Sequence, residues 1–321
     1  MHEYLLKRDL LHADETTCQV LREEGKQAEA TSYMWIYLTG SDGLPLIILY
    51  DYAEGRAGKY ARDFLEGFTG LLQCDGYQGY NKVADVILVC CLAHCRRKFF
   101  EAIPAGRRKK LKLLDINSEI RIDDPIIPAE SSQGTMIPAE VDLSYCNKLF
   151  FIERELKDLP ADERKAKREE LETPVWESFW KWIATLKPLG GSRLEKTVNY
   201  ALNHRETLCN YLRDGRCEIS NNAAERRAKS YAIGRKAFLF QTSVAGANAS
   251  AVMYSIIETA KANNLNVFQY LYMVLLYMPD CKNEPKGIEQ LLPWSDFMKE
   301  HCTGLIDVEN IMAENHKPLP I

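Results

Sequence analysis

Three short apolar runs separated by turns, followed by alternating helix and strand signals and then a long stretch without strand signals, limit how this chain can fold. The runs are 9–14, 33–38 and 46–50, the last entered through a Gly-Leu-Pro turn. Apolar, aromatic and β-branched residues bounded by turn residues read as strands, and three in succession with short connections read as an antiparallel meander. The pattern then changes. Tyr60, Phe64, Leu65 and Phe68 fall at helical spacing and predict a helix over 59–68. A short strand follows at 70–75, then a helical turn around Tyr80, then the continuous apolar run 86–91. Hairpin strands followed by alternating helix and strand predict an α/β fold around a mixed five-stranded sheet.

The rest of the chain is of another kind. Residues 104–142 begin basic and become rich in Pro, Ser, Gly and Glu, so they read as a linker or mobile loop. From 143 to 213 the periodicity is helical, with Trp176, Phe179, Trp180 and Ile183 on one stripe. A second helical block runs from Asn222 to about Tyr277, and a tail containing Leu292-Pro293-Trp294 follows Pro279. The organisation expected is four-part: 1–103, the strand-bearing first part of a catalytic core; 104–215, linker and all-helical insertion; 216–278, the remainder of the core; 279–321, a small C-terminal element. A hydrophobic fraction of 46% suits a globular protein with a substantial core. No apolar run is long enough for a membrane helix, the start carries no secretory pattern, and the ten cysteines follow no disulfide framework, which points to reduced thiols in a cytoplasm.

Three carboxylates stand out by position. Asp14 closes the first strand run, Asp75 closes the fourth, and Glu225 sits at the start of a helix, in Asn221-Asn222-Ala223-Ala224-Glu225-Arg226. In a mixed sheet of this order the first and fourth strands are neighbours, so the first two acids meet and a following helix supplies the third. Carboxylates gathered in one crevice repel one another until hard divalent cations, which prefer oxygen ligands, relieve the repulsion. Each also has a plain structural reading: Asp14 as a turn cap, Asp75-Gly76 as a turn pair, Asn222 with Glu225 as a capping box. The net charge of −4 argues against a uniformly DNA-binding surface, yet basic residues cluster at Arg96-Arg97-Lys98, Arg107-Arg108-Lys109-Lys110 and 226–236. Arg226, Arg227, Arg235 and Lys236 read as phosphate contacts or as a solvated helix face. Trp176, Trp180 and Trp182 read as core before base-stacking groups. Cys91 and His94 read either as part of a zinc site, which would need further ligands, or as a structural thiol and a histidine that orients the crevice or contacts DNA.

Six ordered segments resemble the insertion-sequence-sixty-six family of DDE-type transposases: Leu11-His12-Ala13-Asp14-Glu15-Thr16; Leu72-Gln73-Cys74-Asp75-Gly76-Tyr77 with Gly79-Tyr80-Asn81; Ala93-His94-Cys95-Arg96-Arg97-Lys98-Phe99; Asn221-Asn222-Ala223-Ala224-Glu225-Arg226; Gly234-Arg235-Lys236; and Ser255-Ile256-Ile257-Glu258-Thr259-Ala260-Lys261. The resemblance covers roughly 10–278, and departs from the family pattern at Ala237-Phe238 and at Cys95. It implies a ribonuclease H-like core and a bacterial, nucleoid-associated enzyme. That enzyme would cut DNA at transposon ends and transfer the strand to target DNA by two-metal-ion phosphoryl transfer with Mg²⁺ or Mn²⁺. The family's three metal-binding acids fall on Asp14, Asp75 and Glu225. Self-association in a DNA complex is implied as well. Family members carry an upstream DNA-binding region, so the segment resembled is the catalytic part without it; the alternative expectation is an inactive or DNA-binding remnant of a truncated transposase.

Overall fold

The computed structural model describes residues 1–108, 136–281 and 285–303; Lys109, Lys110, most of the expected linker and the tail from 304 lie outside the described residues. The meander is present. β1 (Leu10–Arg22) pairs antiparallel with β2 (Thr31–Thr39), and β2 with β3 (Ile48–Ala53). β1 runs well beyond its apolar start. Leu10 to Ala13 are all buried, none of Asp14 to Thr17 is, and Cys18 and Val20 are buried again, so the strand continues where the mainly apolar run stops. Asp14 therefore lies inside β1, not at its end. α2 (Lys59–Phe64) is shorter than expected and gives way to Gly67, whose φ of 85° suits glycine. β4 (Gly70–Cys74) and β5 (Val86–Cys90) fall where expected. A sixth strand, β6 (Gln241–Ser243), lies parallel to β1, with Val20 opposite Gln241; its Gln-Thr-Ser sequence carries no apolar signal. The sheet is mixed, in the order β3-β2-β1-β4-β5 with β6 beside β1, one strand more than expected. This mixed α/β architecture fits the ribonuclease H-like class.

The chain divides into two compact units, one of residues 1–70, 82–85 and 223–321, the other of residues 71–81 and 86–222. In the first, α1 (His2–Leu6) and α2 accompany β1–β3, and α9 (Asn222–Phe238) and α10 (Val244–Ala262) cover one sheet face. Cys18, Val20, Met34, Ile36, Tyr50 and Tyr52 from the strands meet Ala224, Ala228, Ala247 and Ala251 from the helices. Small helix residues let the backbones approach the sheet closely. α11 (Val267–Cys281) and α12 (Asp296–His301) build a separate cluster around Tyr270, Met273, Tyr277 and Met298.

α10 also closes the outer edge of β3. Ser255 Oγ accepts from Tyr50 N at 2.7 Å; Thr259 Oγ1 accepts from Ile48 N at 3.0 Å and donates to Ile48 O at 2.8 Å; Asn263 Nδ2 donates to Leu46 O at 2.7 Å. The spacing explains why this works. Four helix residues rise about 6 Å and two strand residues about 6.6 Å, so side chains four apart on the helix track alternate backbone groups of the strand.

The second unit contains the expected helical insertion, with no strand among the described residues of 143–213. Its helices are α4 (Pro138–Leu156), α5 (Ala161–Leu171), α6 (Thr173–Thr185), α7 (Arg193–Asn203) and α8 (Arg205–Cys209), preceded by α3 (Leu92–Ala102). Residues 138–142, expected in the linker, are helical. Pro138 suits a first helical turn, and Glu140 accepts from Ile137 N at 3.0 Å while Arg107 grips both its oxygens at 2.7 Å. The tryptophan stripe is core. Trp176 and Phe179 are 3% and 1% exposed, and Phe179 meets Phe99 edge-to-face at 6.1 Å. Trp182 is likewise occupied internally, donating to Asp142 Oδ1 at 2.8 Å.

Thr259→Val keeps the shape of a fully buried side chain and strips the hydrogen bonds from Ile48. The variant is expected to lose about 1–3 kcal/mol of stability in urea unfolding, whereas an exposed change such as Val252→Thr on the same helix leaves the midpoint nearly unchanged.

Candidate active site

In the first unit Asp14 stands opposite Ile36, which stands opposite Tyr50. Directly paired strand residues project to the same face. Asp14 thus belongs to the face that carries Ile36 and Tyr50, and that is the face α9 packs upon. Glu225 lies in the first turn of α9, where exposed backbone N–H groups favour an anion. Ala224 beside it is fully buried against the sheet, and Tyr50 Oη donates to Arg227 O at 2.8 Å, which fixes the rotation of this turn over β3. Asp14 Oδ1 accepts from Glu15 N at 2.9 Å. Glu15 projects from the opposite face, opposite Trp35 and, beyond it, Asp51, and pairs with Arg56 at 2.6 Å. Burial pushes the Asp51 carboxyl up to about 6, with His2 opposing the shift.

In the second unit Asp75 follows the last residue of β4, and its Oδ1 accepts from Tyr77 N at 2.8 Å. This is the turn-forming bond expected of an Asp-Gly pair, and it fixes the carboxylate as well as the turn. Cys91 is the N-cap residue of α3, and its sulfur accepts from Asn221 N at 3.1 Å. His94 lies in the first turn of α3.

The approach to α9 is held by side chains of the second unit. Arg168 is fully buried and uses all five guanidinium N–H groups. Two go to the Glu153 carboxylate at 2.6 and 2.7 Å; the others go to the carbonyls of Tyr211, Asp214 and Cys217 at 3.1, 2.9 and 2.8 Å. Gln73 then takes over. Its Nε2 donates to Glu218 O at 2.6 Å and to Ser220 O at 3.1 Å, and its Oε1 accepts from Glu218 N at 2.9 Å. Leu92 N donates to Ile219 O at 3.0 Å. Nothing in the sequence distinguishes Arg168 within the charged run of α5, and only its burial identifies it.

The basic candidates separate by environment. Arg97, Arg226 and Lys236 are exposed. Arg96 donates to Asn147 Oδ1 at 2.6 Å, and Arg235 donates to Thr17 on β1. Arg227 pairs at 2.8 Å with the buried Glu258, so its charge is compensated inside the fold. Sequence reading missed a mainly basic concavity in the second unit, lined by Lys98, Arg108, Arg193 and Lys196 together with Glu101, Ala102 and Thr197. Residues 98–108, on and just after α3, meet residues 193–197 of α7, far along the chain. Among the described residues no helix is long and apolar enough to cross a membrane, and all ten cysteines are free.

The profile of the Transposase IS66 family matches residues 1–249, and that of the IS66 C-terminal element matches residues 255–294. In Sinorhizobium fredii (strain NBRC 101917 / NGR234), the uncharacterized protein y4hP is 29% identical over 305 residues, covering 91% of this chain and 51% of y4hP. The uncharacterized protein y4qI of the same strain is 28% identical over 315 residues, covering 91% of this chain and 52% of y4qI. The chain thus spans about half the length of the curated relatives it matches.

Arg168→Lys keeps the charge but cannot reach five acceptors. It is expected to cost about 3–5 kcal/mol, as for other broken buried pairs. Hydrogen exchange should rise first at 211–217, and a variant whose exchange there matches the wild type would refute this role.

Proposed function

Because the chain belongs to the IS66 family of transposases, we propose that it is the catalytic part of a DNA transposase that cuts at transposon ends and joins them to target DNA, with Asp14, Asp75 and Glu225 as its metal-holding acids. The observation that carries the reading is that Asp14 belongs to the sheet face on which the Glu225-bearing helix packs. The donor set fits the ions the family implies. Three carboxylates offer only hard oxygen atoms, which suit Mg²⁺ or Mn²⁺. When bound, a pair of such ions stabilises charge on the attacking and leaving oxygens of an in-line displacement at phosphorus.

The protein's own part is to hold these carboxylates rigidly and to seat the DNA. Asp14 is fixed by a strand paired through its length, Asp75 by its bond to Tyr77 N, and Glu225 by the packing of Ala224 and Tyr50 around its turn. Exposed Arg97, Arg226 and Lys236 would hold phosphates, and the Lys98–Arg108–Arg193–Lys196 concavity supplies a second group of cations. Such contacts position a duplex without reading its sequence. Partners are accordingly transposon-end and target DNA, with self-association in the DNA complex, in the bacterial cytoplasm at the nucleoid.

Asp14→Ala, Asp75→Ala and Glu225→Ala are each expected to abolish Mg²⁺-dependent nicking of end-bearing DNA while leaving circular dichroism unchanged. Mn²⁺ at a hundredfold excess over its Kd should stabilise the wild type by about 2.7 kcal/mol, and Asp75→Asn should lose that gain. Equal gains in both proteins would count against the site. Lys196→Ala should weaken DNA binding and reduce the slope of log K against log salt by about 1; an unchanged slope would remove the concavity from the DNA surface.

A further inference from the structure

The Asp75 turn is not free-standing. Within the second unit, two residues of the helical insertion reach it, one turn apart on the same side of α7 and its C-cap. Tyr200 and His204 lie ring against ring, centroids 4.5 Å apart. Tyr200 closes against Gly76. A methyl group placed on Gly76 would overlap the Tyr200 hydroxyl and lie 2.9 Å from Cε2 and Cζ. A side chain there would force the Tyr200 ring to move, which gives the glycine after Asp75 a reason beyond turn formation. The Tyr200 ring is backed on α3 by Lys98, whose Nζ sits 4.7 Å from the ring centroid. His204 acts through a thiol. Its Nδ1 is 3.7 Å from Cys90 Sγ, and Cys90 Sγ is 3.7 Å from the carbonyl oxygen of Asp75.

We propose that Tyr200 and His204 are positioning residues for the Asp75 carboxylate, so that the helical insertion sets the geometry of a metal ligand contributed by the sheet. This rests on the reading of Asp75 as a metal ligand given above. The physical argument is one of restraint. Asp75 lies past the end of β4, where strand pairing no longer holds the backbone. Its side chain is tied to Tyr77 N, so the carboxylate moves with the turn. Tyr200 blocks the turn at Gly76, and the His204–Cys90 contact holds the Asp75 carbonyl. Groups that orient a ligand in this way typically change metal affinity about 10- to 100-fold when removed.

The test uses the full chain and six variants: Tyr200→Ala, Tyr200→Phe, His204→Ala, Gly76→Ala, Asp75→Asn and the double variant Gly76→Ala with Tyr200→Ala. Hydrogen exchange of the peptide spanning 74–78, the urea midpoint and the affinity for Mn²⁺ alone, read by electron paramagnetic resonance, are measured on each. Tyr200→Ala and His204→Ala should raise exchange at 75–77 about tenfold and weaken Mn²⁺ binding about tenfold, without comparable exchange increases elsewhere in the unit. Tyr200→Phe keeps the ring and should stay close to the wild type. Gly76→Ala should weaken Mn²⁺ binding alone and cost much less when Tyr200 is already Ala. Wild-type exchange at 75–77 in both Tyr200→Ala and His204→Ala would overturn the proposal, as would loosening spread evenly over the unit or additive effects in the double variant. If wild-type Mn²⁺ binding is unaffected by Asp75→Asn, the metal-ligand reading fails, and the positioning of a ligand fails with it; loosening confined to 75–77 would still show that the turn is braced.

Discussion

A guanidinium removed from water must find a partner for every N–H it carries, and Arg168 finds all five inside the protein. Burial of a charge is costly on its own; the Glu153 carboxylate and three backbone carbonyls offset that cost. The consequence is directional. The carbonyls belong to Tyr211, Asp214 and Cys217, which lie on the stretch of chain leading out of the insertion. That stretch passes directly to the groups held by Gln73 and Cys91, and from there into α9. A chain that leaves a sheet, builds several helices and returns would otherwise carry the uncertainty of every intervening loop. Within the second unit the return is fixed side chain by side chain over 211–221.

What could be read from the sequence, and what could not, follows from how burial shapes the pattern. The five strands announced themselves because each carries an apolar run. Asp14 reads as a strand end because Leu10 to Ala13 are buried on both faces while none of Asp14 to Thr17 is buried, and such a change resembles a stop. β6 left no trace because three polar residues pair with β1 by backbone alone. The tryptophan stripe was legible as core because helical periodicity reports packing directly. Adjacent Arg226 and Arg227 could not be told apart, since neighbouring helix positions differ by about 100° in direction and only the fold reveals that Glu258 awaits one of them.

The candidate acids show that a structural and a functional reading need not compete. Asp75 makes the turn bond to Tyr77 that its plain reading requires, and that same bond aims the carboxylate. The segment from Ser255 to Lys261, one of those that resemble the family, has a structural role. It supplies the two hydroxyls on β3 and the carboxylate that pairs with Arg227 and Lys261. Its contribution is to hold α10 and α9 against the sheet, and hence to hold the helix that carries Glu225.

The covered border of β3 has a further consequence for how copies of this protein can associate. An open strand border is a template on which another chain can pair, through ordered assembly or through aggregation. With Leu46, Ile48 and Tyr50 already engaged by Asn263, Thr259 and Ser255, the sheet cannot lengthen in that direction unless α10 first lifts away. Multimers in which one molecule's sheet runs on into the next through β3 are therefore closed to the folded protein.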